Sequence, residues 1–242
     1  FGSQLWTQNS PGTDDPDACC DGFGTSLAAG NLGRSAHDDL AIGAPYENNL
    51  EEIQDGVGAV TVVYGSPNGL TDDGRQLLGQ GLDGISGAGE YGDWFGYALA
   101  IGDFGKSGHE DLAVGVPSEG SPSSDDGSVN VIYGSATGLT AAGNRTWGQD
   151  SKGILGEAEE SDMFGRSLTA ANFGRSRHAD LVVGVPAEDE LLTDDGMLNV
   201  IYGSKDGLTA KGNQYWGTDS PGILGAGEPG DQFGGVLAAV RN

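Results

Sequence analysis

The 242-residue chain predicts an all-β fold built from repeated four-stranded units, the architecture of a β-propeller. Three observations carry that reading. A Phe-Gly pair leading into an apolar stretch recurs at Phe23, Phe95, Phe164 and Phe233, at spacings of 72, 69 and 69 residues. The apolar runs between these pairs are short and bounded by turn residues, as half-buried strands are. The 45 glycines and the lack of any long Ala/Glu/Lys/Leu stretch leave little room for helix. So long a period signals stacked or radial units rather than one irregular core.

The second unit shows the four elements in order. Tyr97 to Ile101 is predicted as a first strand and Asp111 to Val116 as a second. Ser128 to Tyr133 is the third, since Val129-Asn-Val-Ile-Tyr133 has the β-branched and aromatic make-up of a strand. Asp126-Gly127 before it and Gly134-Ser-Ala-Thr-Gly138 after it are turn signals. Asn144 to Gly148 is the fourth. Four antiparallel strands with tight turns fit a propeller blade, whereas solenoid repeats are usually shorter. This template predicts complete blades over 23–80, 95–149 and 164–218. Residues 1–10 then read as the outer strand of a preceding blade, with Trp6 aligned to Trp147 and Trp216. Residues 233–242 read as the inner strand of a following blade. Three blades and two unmatched strands do not close a ring, so the remaining blades or another subunit are expected beside them.

The first three units share more than the Phe-Gly pair. Leu27-Ala-Ala-Gly-Asn-Leu-Gly with Asp39-Leu-Ala-Ile-Gly-Ala-Pro45 becomes Leu99-Ala-Ile-Gly-Asp-Phe-Gly with Asp111-Leu-Ala-Val-Gly-Val-Pro117. The third copy reads Leu168-Thr-Ala-Ala-Asn-Phe-Gly with Asp180-Leu-Val-Val-Gly-Val-Pro186. This string resembles the FG-GAP repeat of integrin alpha subunits and many secreted bacterial proteins, and Val131-Ile-Tyr-Gly-Ser-Ala-Thr-Gly-Leu139 resembles the bacterial versions. The resemblance covers nearly the whole chain. It implies an extracellular propeller of about seven blades serving adhesion or ligand binding. The family also decorates enzymes, so fold alone does not give function.

In that family the turn between the first two strands is often a calcium loop, Asp-x-(Asp/Asn)-x-Asp-Gly-x-x-Asp, because a hard cation takes six to eight oxygens. The corresponding segments here run Asn31 to Asp39, Asp103 to Asp111 and Asn172 to Asp180. Their third position is glycine and their fifth is Ser35, Ser107 or Ser176. Two readings follow. The loops bind calcium weakly, with the Asp103 loop the best candidate, or they are metal-free turns in which Asn and Ser bond to backbone. All three histidines, His37, His109 and His178, occupy the seventh position. There each is expected to form a structural contact with its own loop's Asp39, Asp111 or Asp180. Zinc is disfavoured by the ligand count.

Eleven basic residues against 36 acidic ones give a net charge of −25. Such a surface repels nucleic acid and anionic lipid and attracts cations or basic partners. In a propeller the connections between strands 4–1 and 2–3 share one face, and 27 of the 36 carboxylates fall in them. Among these, Glu119, Asp125, Asp126, Glu188, Asp194 and Asp195 are candidate ligand contacts. Asp93, Asp162 and Asp231 recur two residues before the Phe-Gly, and Glu90, Glu159 and Glu228 five before, which suggests carboxylates that fix turns through backbone N–H groups. The residue just before the Phe varies instead, from Gly22 to Trp94, Met163 and Gln232. Exposed Trp94 and Met163 are therefore candidates to touch a protein or glycan ligand. The competing reading is an acidic surface that serves only solubility.

Catalysis draws little support. No histidine lies on the acidic face, no phosphate loop precedes a helix, and nothing singles out a carboxylate pair. No stretch approaches the roughly 18 apolar residues of a membrane span. Cys19 and Cys20 are adjacent and lie on the ligand face. They can close a vicinal disulfide, or each can pair elsewhere. The opening Phe1-Gly-Ser-Gln-Leu-Trp matches the middle of a repeat rather than a signal peptide, so a processed or excerpted chain is expected.

Overall fold

The computed structural model describes residues 2–8, 10, 20–48, 56–120, 126–189, 195–224 and 226–239. Among them are twelve strands and no helix, in three four-stranded antiparallel sheets of order 1-2-3-4. The first sheet contains β1 (Ser26–Gly30), β2 (Asp39–Ala44), β3 (Ala59–Ser66) and β4 (Gly69–Leu78). The second contains β5 (Ala98–Gly102), β6 (Asp111–Val116), β7 (Ser128–Tyr133) and β8 (Thr140–Trp147), and the third β9 (Ser167–Ala171), β10 (Asp180–Val185), β11 (Met197–Tyr202) and β12 (Thr209–Gly217). The inner strands β1, β5 and β9 stand side by side, so the sheets are arranged as neighbouring propeller blades.

The middle strands β6, β7 and β10 are buried along their whole length, which explains their unbroken Val/Leu/Ile runs. One core lies between the first two sheets around Leu32, Val62, Tyr64, Phe95 and Leu112. A second lies between the last two around Phe104, Val131, Trp147, Phe164 and Leu181. The outer strand begins at Thr140, four residues before the predicted Asn144. Its early residues, Thr140 to Gly143, are small and half- to fully exposed, so their composition hides the pairing. Each outer pairing contains a bulge, between Val62 and Tyr64, Val131 and Tyr133, and Val200 and Tyr202.

Neighbouring blades are fastened by repeated polar contacts. The Gln76 amide donates to the Leu139 carbonyl at 2.9 Å and its oxygen accepts from the Leu139 N–H at 3.0 Å. Gln80 and Gln149 donate to Glu119 and Glu188 of the next blade. Both devices recur at the N-terminal end. Gln4 makes the same paired contact to Leu70, at 2.8 and 3.0 Å, and Gln8 donates to Glu47.

Among the described residues, 2–8 and 233–239 are not hydrogen-bonded as strands. Gln4 nevertheless takes the outer-strand place beside the first blade. At the other end the Phe233 N–H donates to Asp195 O at 3.0 Å, as the Phe164 N–H does to Asp126 O at 2.9 Å.

The far side of the third blade differs from the two interior interfaces. Leu32 and Phe104 are fully buried under the following blade, but their counterpart Phe173 is 53% exposed. A Cβ on Gly33 or Gly105 would lie 1.8 or 1.7 Å from the carbonyl of Ser135 or Ser204, whereas Gly174 meets nothing within 4 Å. Phe173 and Gly174 thus form a socket with the shape of an interior interface and no described residue in it.

Candidate functional site

The loops between strands one and two are held by their own backbone. Asp111, fully buried, accepts from Phe104 N–H at 2.8 Å and Gly134 N–H at 2.9 Å. Asp39 does the same for Leu32 and Gly65, and Asp180 for Phe173 and Gly203. Burial pushes the Asp111 carboxyl up to about 7, against the opposing effect of its two donors. Asn31 and Asn172 close Asx turns onto Gly33 and Gly174, and Asp103 does so onto Gly105. Ser35, Ser107 and Ser176 accept from the N–H of His37, His109 and His178.

In each loop one side-chain oxygen of the first residue, and both oxygens of the closing aspartate, thus already accept from N–H donors. Among the described residues no group of three or more His, Cys, Asp or Glu could hold a metal. The side-chain oxygens left over are few for a calcium ion, which takes six to eight. Positive charge comes instead from the fourth loop position. Arg34, Lys106 and Arg175, all left-handed at φ 63–68°, stack on Tyr64, Tyr133 and Tyr202 at 5.0, 3.8 and 4.1 Å. The expected contact between a histidine and its own loop's aspartate is corrected at His178. His178 Nδ1 lies 3.2 Å from Asp103 Oδ1 of the preceding blade, because the oxygens of Asp180 are already bonded.

On the opposite face the 4–1 and 2–3 connections touch each other, as the blade template requires. Trp94 N–H donates to Gly56 O and Tyr46 N–H to Asp21 O. The acid here divides in two. Asp21, Asp93, Asp162, Glu188 and Asp195 are buried, while Glu90, Glu157, Glu159, Glu160 and Glu228 are exposed. Asp93, Asp162 and Asp231 accept from the N–H of Glu90, Glu159 and Glu228 at 2.5, 2.7 and 2.9 Å, so they fix turns. Burial raises Asp162 to about 7.

Two of the acidic ligand candidates, Glu119 and Glu188, thus serve as inter-blade clamps. Asp195 is buried, and the Asp126 carbonyl receives the Phe164 N–H. Asp125 and Asp194 lie outside the described residues, as does Cys19, so the vicinal pair does too.

The variable position before each Phe has a common backbone. Gly22, Trp94, Met163 and Gln232 are all left-handed, with φ of 71, 62, 62 and 53°. A non-glycine residue there costs about 1 kcal/mol or more, and such strain is characteristic of functional sites. Met163 is half-buried.

Trp94 is also half-buried rather than fully exposed, because it packs between two tyrosines. Tyr46 meets it edge-on, with centroids 6.2 Å apart and an interplanar angle of 88°, and Tyr97 lies 6.1 Å away. Asp21, Tyr46, Asn48, Gly56, Tyr91 and Trp94 line a pocket of about 430 Å³. Sequence reasoning missed Tyr46 and Tyr91, although each also varies between copies: Ser118 and Ala187 follow the other prolines where Tyr46 follows Pro45. It also missed Arg166, which stacks on Tyr97 at 4.1 Å beside this face.

Comparison with known proteins agrees with the fold. No family model matches the chain. It is 32% identical to human integrin alpha-7 over 173 residues, 71% of this chain and 13% of the integrin. It is 36% identical to rat phosphatidylinositol-glycan-specific phospholipase D over 170 residues, 68% of this chain and 18% of that enzyme. Integrin alpha pat-2 of Caenorhabditis briggsae matches over 213 residues at 27%. The chain spans less than a fifth of the length of these relatives. With three sheets of one plan and the Phe-Gly strings in register, the chain belongs to the FG-GAP β-propeller family.

Proposed function

We propose that the chain is a non-catalytic, extracellular ligand-binding or adhesion segment that engages a protein or glycan through its 4–1/2–3 face. One observation carries this reading: the pocket walled by Tyr46, Tyr91 and Trp94, with Trp94 at a strained left-handed φ. Aromatic side chains around a concavity supply contact area at low entropic cost. The exposed acid around it steers basic or cation-linked partners. Integrin relatives favour adhesion. The open third-blade socket fits the remaining blades of a seven-bladed ring, or another subunit of an extracellular assembly.

The phospholipase D relatives favour a second reading, a propeller that accompanies a hydrolase. An array of glycans, basic proteins and esters separates the two. The first reading expects a bound partner and no ester turnover by this chain. Charge reversal at Glu90, Glu157, Glu159 and Glu160 should then weaken binding at low salt by about ten-fold. Affinity unchanged by the reversal contradicts the ligand face, and ester hydrolysis by the chain alone contradicts the non-catalytic assignment.

A further inference from the structure

The pocket beside Trp94 is distinguished by what stands on its rings. Five basic side chains lie over aromatic faces elsewhere: Arg34, Lys106, Arg145, Arg166 and Arg175. Among the described residues, no Lys or Arg is placed over Tyr46, Tyr91 or Trp94. Tyr46 and Trp94 meet edge to face at 88°, and both line the pocket with Tyr91, which is 73% exposed. Asp21, 4% exposed, also lines this space, and Gln8 donates to its carboxylate at 3.2 Å.

Aromatic walls meeting at an angle, with a carboxylate behind them, suit a bulky cation of diffuse charge. A compact ammonium is strongly hydrated and gains less from such walls. An inorganic cation requires converging oxygens, and no described cluster provides them. An anion is opposed by the net charge of −25. A sugar would lose the flat platform on which it stacks, since Tyr46 crosses Trp94 at a right angle.

We infer that this pocket binds an organic cation of the trimethylammonium class. The inference deepens the proposed function and rests on its assignment of the ligand face.

Binding is measured by isothermal titration and by saturation-transfer NMR on the chain, with choline as probe. The neutral isostere 3,3-dimethyl-1-butanol has the same shape without the charge and should bind at least about ten-fold more weakly, as a cation–π contribution requires. Trp94→Gly should abolish binding without loss of folding, because glycine suits φ 62° and Gly22 holds the equivalent place. Tyr91→Ala, at an exposed position, should weaken binding several-fold.

A phosphocholine arm identifies the source. Equal or tighter binding of phosphocholine assigns a lipid headgroup, and preference for choline assigns a free base or methylated amine. Equal binding of the isostere, full binding by Trp94→Gly, or no choline binding overturns the inference. If choline fails but an array partner is lost on charge reversal, the ligand face stands and only the cation falls.

Discussion

Asp111, at the start of β6 and fully buried, accepts from Phe104 in the turn after β5 and from Gly134 just past β7, so one carboxylate fastens both connections. Asp111→Ala leaves two buried N–H groups without partners, and each such group costs about 1–3 kcal/mol. A loss of about 3 kcal/mol in urea unfolding is expected, and a loss below about 1 kcal/mol would show that water replaces the carboxylate. The same residue sets a pH dependence. Burial raises Asp111 and Asp162 to about 7, so the folded chain keeps protons that the unfolded chain has lost. Their stabilising contribution is complete below about pH 4 and declines as pH rises through about 7. Self-repulsion at a net charge of −25 acts in the same direction. The melting temperature should therefore fall steadily from pH 5.5 to 8.5, and a rise over that interval would contradict the protonated carboxyls.

Strand-to-strand loops carry the next level of evidence. Gly33, Gly105 and Gly174 occupy one position in three loops, at φ of 122, 115 and 114°. Gly105→Ala drives a Cβ into the Ser204 carbonyl and should cost at least about 3 kcal/mol. Gly174→Ala meets only the left-handed backbone penalty, about 1–2 kcal/mol. Equal losses in denaturant melts would contradict the blade-to-blade contact at Gly105. Calcium removal belongs at this level too. With both oxygens of each closing aspartate bonded to N–H donors, chelator should shift the melting temperature by no more than a few degrees. A loss above about 10 °C that calcium reverses would overturn the fit.

These elements were unevenly legible in the sequence. Strands two and three are buried runs of Val, Ile and Leu, so their bounds could be read to the residue. The outer strand mixes Thr, Ala, Gly and Asn, and its start could not. Trp94 stood out because its position varies between copies, but its partners Tyr46 and Tyr91 lie 48 and 3 residues away and only the fold brings them together. Charge counting also misled. Glu119 and Glu188 are acidic residues of the ligand face whose carboxylates clamp the preceding blade.

At the scale of the whole molecule, two blade interfaces are filled among the described residues, and no described residue covers Phe173 and Gly174. Apolar surface of this kind pairs with a neighbour. The isolated chain should self-associate in sedimentation velocity, and Phe173→Asp should shift it toward monomer. A stable monomer before substitution would contradict the open-ring arrangement.

The proposed division of labour between the faces is the central claim: we propose that the 1–2 loops are structural and that the 4–1/2–3 connections recognise the partner. Hydrogen–deuterium exchange with the array partner bound tests it most directly. Protection is predicted at 46–48 and 91–97, with no change over 31–38 and 103–110. Protection confined to those two loops, with none around Trp94, would contradict it.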